Sequence, residues 1–148
     1  MASKPKPGES RIYNSAFQTR GRSDVVRWDV MPIQHHTTIV VTFESVNSAW
    51  RQWIWLKTDR GLVINGIHGP SIVLWYDTAP REVVCVCQTR DGRLSVYNVW
   101  DSGQGYGMES QKWSSGMLVE EFSNGRRYRC NDRGFETNFD KLVFRIEW

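Results

Sequence analysis

The sequence predicts an all-β domain: a single antiparallel β-sandwich of about ten strands, with a closed β-barrel as the alternative. Three observations carry the prediction. Apolar residues recur with period two in short runs, the signature of half-buried strands. Helical periodicity is almost absent, so no helix longer than about two turns is expected. Asp91-Gly92 and Asn124-Gly125 stand between such runs, where these dipeptides signal tight hairpins.

Taken in chain order, residues 1–10, MASKPKPGES, are Lys, Pro, Gly and Ser with little else, and are expected to be a disordered tail. One domain is expected over 11–148. Its strand candidates begin with VVRWDV (25–30), TTIVVTFE (37–44), WRQWIWLK (50–57), LVINGI (62–67) and SIVLWYDT (71–78). They continue with EVVCVCQT (82–89), LSVYNVWD (94–101), GMLVEEF (116–122), RRYRC (126–130) and KLVFRIEW (141–148). Turns are read at TDRG (58–61), HGP (68–70), RDGR (90–93) and SNGR (123–126). The longest irregular stretch is 102–116, rich in Gly, Ser and Gln and carrying Tyr106 and Trp113. A long loop over a β scaffold is a usual place for binding.

The chain is 148 residues long with a net charge of +3, 19 basic residues against 16 acidic ones. That balance argues against nucleic acid as the partner. Arg126, Arg127, Arg129 and Arg133 do cluster near Tyr128 and Phe135. Acidic neighbours dilute them, and a solvated hairpin with charged edges is the favoured reading. No apolar run approaches a membrane span. The start has no secretory h-region, and no glycosylation sequon occurs, so a cytoplasmic location is expected. Cys85, Cys87 and Cys130 are an odd set without paired C-x-x-C spacing, and are expected to be reduced, structural thiols. His35 and His36 precede a strand with no ligand partners at metal spacing, so neither metal nor cofactor is expected. No nucleophile elbow, P-loop or dinucleotide fingerprint is present, and no catalytic residue is assigned.

Tryptophan is the unusual feature. There are eight, three of them in WRQWIW. Alternation puts Trp50, Gln52, Ile54 and Leu56 on one face, read as core. Arg51, Trp53, Trp55 and Lys57 fall on the other, read as a solvent-facing binding surface. The same reasoning adds Trp75, Asp77 and Thr78 with Arg81 beyond them, then Tyr97, Trp100 and Asp101. Indoles beside Asp, Asn and Arg suit a sugar, which offers an apolar C–H face and a rim of hydroxyls. The expected function is therefore carbohydrate or glycoconjugate binding without catalysis. Two alternatives stand beside it. One is a small β-barrel enclosing an apolar ligand, a design that includes cyclases and isomerases. The other is a protein–protein binder using the aromatic face, homo-oligomer included.

One stretch resembles a known family. GIHGPSIVLWYDT, with Gly66, Ile67, His68, Trp75, Tyr76 and Asp77, is similar to the Gly-Val-His…Trp-Cys-Asp element of fungal fruit-body lectins. NGRRY at 124–128 resembles that family's Lys-Gly-Arg-x-Phe. The His-to-Trp gap is two residues longer here, Tyr76 replaces Cys, and the N-terminal third does not align. The resemblance implies an actinoporin-like sandwich of two antiparallel sheets, with Asp77 matching an acid at that family's sugar site; His68 and Trp75 are counted among the binding candidates beside it.

Overall fold

The protein is described from a computed structural model covering residues 10–109 and 114–148. Trp113 and the tail residues 1–9 lie outside the described residues. The strands are β1 (Ile12–Tyr13), β2 (Val26–Pro32), β3 (Thr37–Val46), β4 (Arg51–Ile64), β5 (Ile67–Trp75) and β6 (Glu82–Cys87). They continue as β7 (Arg93–Asp101), β8 (Gly116–Phe122), β9 (Gly125–Asn131) and β10 (Leu142–Glu147). The helix α1 (Ser15–Gln18) is a single turn, capped by the Asn14 side chain, which accepts from the Ala16 and Phe17 amides.

All strand pairs are antiparallel. Neighbours run β2-β7-β4-β6-β3-β10-β9-β8, and β8 returns to β2 through Val26 opposite Met117. Eight strands thus close on themselves, with β1 and β5 attached outside the ring on β2 and β4. The expected open sandwich is corrected to a closed barrel. Closure depends on β4, whose fourteen residues serve two neighbours in turn. Arg51–Lys57 lie beside β7, while Leu62 and Val63 lie beside β6, with a register shift between Lys57 and Leu62. A shift of this kind bends a strand and lets it turn a barrel corner.

The hairpin after β4 also differs from expectation. TDRG does not end the strand, and HGP lies inside β5. The turn is Asn65-Gly66, with φ of 51° and 77°, between paired Ile64 and Ile67. Two consecutive positive φ values match the right-handed twist of the strands, which is why Asn-Gly occupies them. Pro70 is tolerated within β5 because that strand pairs with β4 alone, leaving its other edge free of ladder bonds.

The barrel lumen is filled by side chains. Ile39, Val41, Ile54, Leu56, Leu94, Val96, Tyr128, Phe144 and Ile146 point into one cluster, none more than 1% exposed. Cys85, Cys87 and Cys130 join it as free, buried thiols. Asp29 is also fully buried. It accepts from Arg11 Nε at 2.7 Å, Arg126 Nη1 at 2.9 Å and the Tyr128 hydroxyl at 2.6 Å. Three donors on one carboxylate offset the cost of taking its charge out of water. No helix among the described residues is long and apolar enough to cross a membrane.

Candidate functional site

Two places collect the side chains with binding chemistry: an aromatic wall on the outside of β2, β7, β4 and β5, and a polar cavity at one end of the barrel. The wall contains most of the residues singled out from the sequence. Trp55 lies opposite Tyr97 across β4 and β7, with ring centroids 5.5 Å apart, and Tyr97 stacks on Trp28 at 4.6 Å. Two residues along, Trp53 stacks on Trp75 of β5 at 3.7 Å. Arg51 lays its guanidinium carbon 3.6 Å from the Trp75 ring centre and bonds both oxygens of Asp77, at 2.8 and 3.0 Å. That pairing holds the Asp77 carboxyl below the usual carboxylate range.

These contacts decide what the wall can do. An indole and a guanidinium, each within 4 Å of one ring centre, need both faces of Trp75. Tyr97 likewise lies between Trp28 and Trp55. The stacking takes both faces of Trp75 and Tyr97, while Trp28 and Trp55 are half-buried and each stack on Tyr97 alone. The expectation that Trp53 faces solvent is corrected: it is fully buried, because Trp75 from the added strand β5 covers it. Tyr97 is 8% exposed, and burial pushes its phenol up to about 12. Trp28 completes the wall and was not singled out from the sequence, although alternation in VVRWDV sets it opposite the buried Asp29.

The remaining sequence candidates disperse. Thr78 lines a shallow cleft with Trp75, Val73 and Val84 between β5 and β6. His68 is exposed, 2.7 Å from the Arg60 carbonyl. Arg81 accepts the Phe43 amide through its carbonyl. Asp101 accepts from the Gly103 amide. Tyr106 is 67% exposed in the segment after β7. Trp100 is fully buried on the inner face, opposite Gln52. No three His, Cys, Asp or Glu side chains converge as a metal site among the described residues. The arginines of the 126–133 cluster all meet carboxylates: Arg126 on Asp29, Arg127 on Glu44 and Glu120, Arg129 on Glu120, Arg133 on Glu109.

The end cavity, about 450 Å³, is lined by Val46, Asn47, Ser48, Ala49, Trp50, Asp132 and Lys141. Its walls are the β3–β4 connection and the segment after β9. Asp132 is only 4% exposed. Its Oδ2 accepts from the Ser48 hydroxyl at 2.7 Å and from Gln52 Nε2 at 3.0 Å, and its Oδ1 from the Arg133 amide at 2.7 Å. Ser48 in turn accepts the Trp50 amide at 3.1 Å. These bonds fix Asp132 beside the half-buried Trp50 indole. Arg133, tied to Glu109 at 2.8 Å, lies 5.5 Å from the centre of that ring. Asn47 donates to Asp140 at 2.8 Å. Behind the carboxylate, Gln52 is 2% exposed and its Oε1 has no partner among the described residues. Trp50, read as core from alternation, is instead a wall of this cavity, because it precedes β4 and is not held to the strand's period.

No family model matches this sequence, and no curated protein matches it. Among solved structures, the chain is similar to the Chromobacterium violaceum lectin CV2L, determined in complex with alpha-methyl-fucoside. The identity is 14%, over 80% of this chain and 94% of that one, with a TM-score of 0.48.

Proposed function

We propose that the protein binds carbohydrate without chemistry of its own, and that it holds the sugar in the end cavity. The observation that carries this reading is the anchored Asp132 carboxylate beside the Trp50 indole. A sugar ring can lay its C–H face on the indole and donate hydroxyls to Asp132. Lys141 and the Asn47 amide offer donors to the same hydroxyl rim. The carboxylate is already ordered by Ser48, Gln52 and the Arg133 amide, so little side-chain entropy is lost on binding. The aromatic wall serves this reading as scaffold, since Trp53, Trp75 and Tyr97 are covered by their neighbours and no anchored carboxylate lies beside the half-buried Trp28 and Trp55 on that face among the described residues. The enclosed-ligand alternative shares the barrel, but side chains fill the lumen it needs. We place the protein in a reducing compartment such as the cytoplasm, where its three buried thiols stay reduced.

A glycan array probed with the whole chain tests the proposal, followed by the same array with Asp132→Asn. Binding of neutral saccharides by the wild type, lost or reduced at least tenfold in the variant, is expected. An array without a hit, or hits indifferent to Asp132→Asn, would overturn it.

A further inference from the structure

The cations of this protein are unevenly satisfied. Nine of them, from Arg11 to Arg145, sit in ion pairs. Among the described residues, six exposed cations take part in none: Arg20, Arg81, and a group of four, Lys57, Arg60, Arg90 and Arg93. These four belong to one end of the barrel, where the bend of β4 meets the β6–β7 connection. Lys57 is opposite Ser95 of β7, and Arg93 is opposite Pro32 of β2. The Arg90 amide donates to Asp59, next to Arg60 in the chain.

Two acids lie at the same end, and both are otherwise engaged. Asp59 accepts from the Thr89 hydroxyl and from the amides of Arg90 and Asp91. Asp91 accepts from the Arg93 amide and lies 3.1 Å from the Thr89 hydroxyl oxygen, whose one proton it shares with Asp59. Their bonds come from neutral groups and order the loop while both carboxylates keep their charge, so four cations stand against two anions at this end, an excess of two positive charges for a partner. Beside them opens a second cavity of about 450 Å³, lined by Pro32, Ile33, Gln34, Thr37, Gly92 and Trp148. Trp148 is 47% exposed there.

We propose that this end binds an acidic polysaccharide, with a sugar ring against Trp148 and its sulfate or carboxylate groups on Arg93, Arg90, Arg60 and Lys57. Charge complementarity selects a polyanion. A saccharide is favoured over a single-stranded nucleic acid because the cavity offers one indole, whereas base-stacking grooves use aromatic rings in series. The site is separate from the neutral-sugar cavity and does not depend on it.

The test uses the whole chain with dextran sulfate, unsulfated dextran and a single-stranded oligothymidylate as probes, at about 0.15 M salt and above. Dextran sulfate should bind, more weakly as salt rises, and unsulfated dextran should not bind at this end. Replacing Lys57, Arg60, Arg90 and Arg93 together by Gln should lower affinity for dextran sulfate at least tenfold, and Trp148→Ala should lower it several-fold. Asp132→Asn should leave it unchanged, which separates this site from the other. Unchanged melting temperatures would show that the variants fold. Equal binding by the quadruple variant, or tighter binding of the oligothymidylate than of dextran sulfate, would overturn the proposal.

Discussion

At the scale of single residues, three tryptophans within six positions have three different environments. Trp53 is fully buried under Trp75, Trp55 is half-buried against Tyr97, and Trp50 borders an open cavity. Trp53→Ala empties a closed indole site and should cost about 3–5 kcal/mol, read by chemical denaturation. Trp50→Ala withdraws less buried area and should cost about 1–2 kcal/mol, because only part of its ring leaves water on folding. This order is the reverse of what period two alone implies. Strand alternation sorts two faces, but it does not report that a further strand will cover one of them. It is also silent on the residue just before the strand begins. Asp132 is a harder case. Its partners Ser48 and Gln52 are 84 and 80 residues away in sequence, and no local pattern announces such a pairing.

At the scale of elements, the β4–β5 hairpin is the part most dependent on one dipeptide. Gly66 sits at a φ of 77° at the tip, with open space where a Cβ would go. Gly66→Val meets no clash but forces a β-branched residue into the left-handed region, at a cost of about 1–2 kcal/mol. A matched Gly66→Asn should cost less, because Asn visits that region more readily. Comparing the two denaturation midpoints checks whether backbone conformation is the cause. Strands β6 and β9 carry the thiols. Burial pushes Cys85 up to about 11 and Cys87 up to about 12, and pushes the Cys130 thiol well up from its ordinary value. The thiolate is the reactive form, so all three should resist a disulfide reagent at pH 8 in the native protein. They should react together once denaturant unfolds it. Rapid native labelling of any of them would contradict the buried assignment.

At the scale of the whole molecule, the outer face of β3, β10, β9 and β8 is held by carboxylate–guanidinium pairs. Burial works to raise the Glu44 carboxyl, but hydrogen bonds from Arg145 and Arg127 outweigh it and hold it below its ordinary range. Glu120 is lowered by its bonds to Arg129 and Arg127. A carboxyl depressed in the folded state stabilises fully above its unfolded pKa, about 4.3 for Glu, and loses that contribution as pH falls through the folded value. Stability should be flat at neutral pH and fall below about pH 4.5. Glu44→Gln should flatten that acid limb in a series of melts across pH. The all-β class, the single domain and most strand positions were legible in the sequence, because period two and the Asn124-Gly125 hairpin between β8 and β9 report local backbone geometry. Asp91-Gly92, expected to make a tight hairpin, is corrected: it joins β6 to β7, which lie on either side of β4 and do not pair. Closure into a barrel was not. It rests on β8 returning to β2 through a single register pair and on the bend within β4, both set by long-range packing. The end cavity was hidden for the same reason, since it joins loops from opposite parts of the chain.

The central claim is that the end cavity, and not the aromatic wall, holds the sugar. Calorimetric titration of one array-selected saccharide into the wild type, Trp50→Ala and Trp55→Ala tests it most directly. The account predicts that Trp50→Ala weakens binding by about 2 kcal/mol, roughly thirtyfold, as a hot-spot indole would. Trp55→Ala should stay within about threefold of the wild type, a difference of less than 1 kcal/mol. Loss of binding in Trp55→Ala with Trp50→Ala unaffected would contradict the account and return the site to the wall.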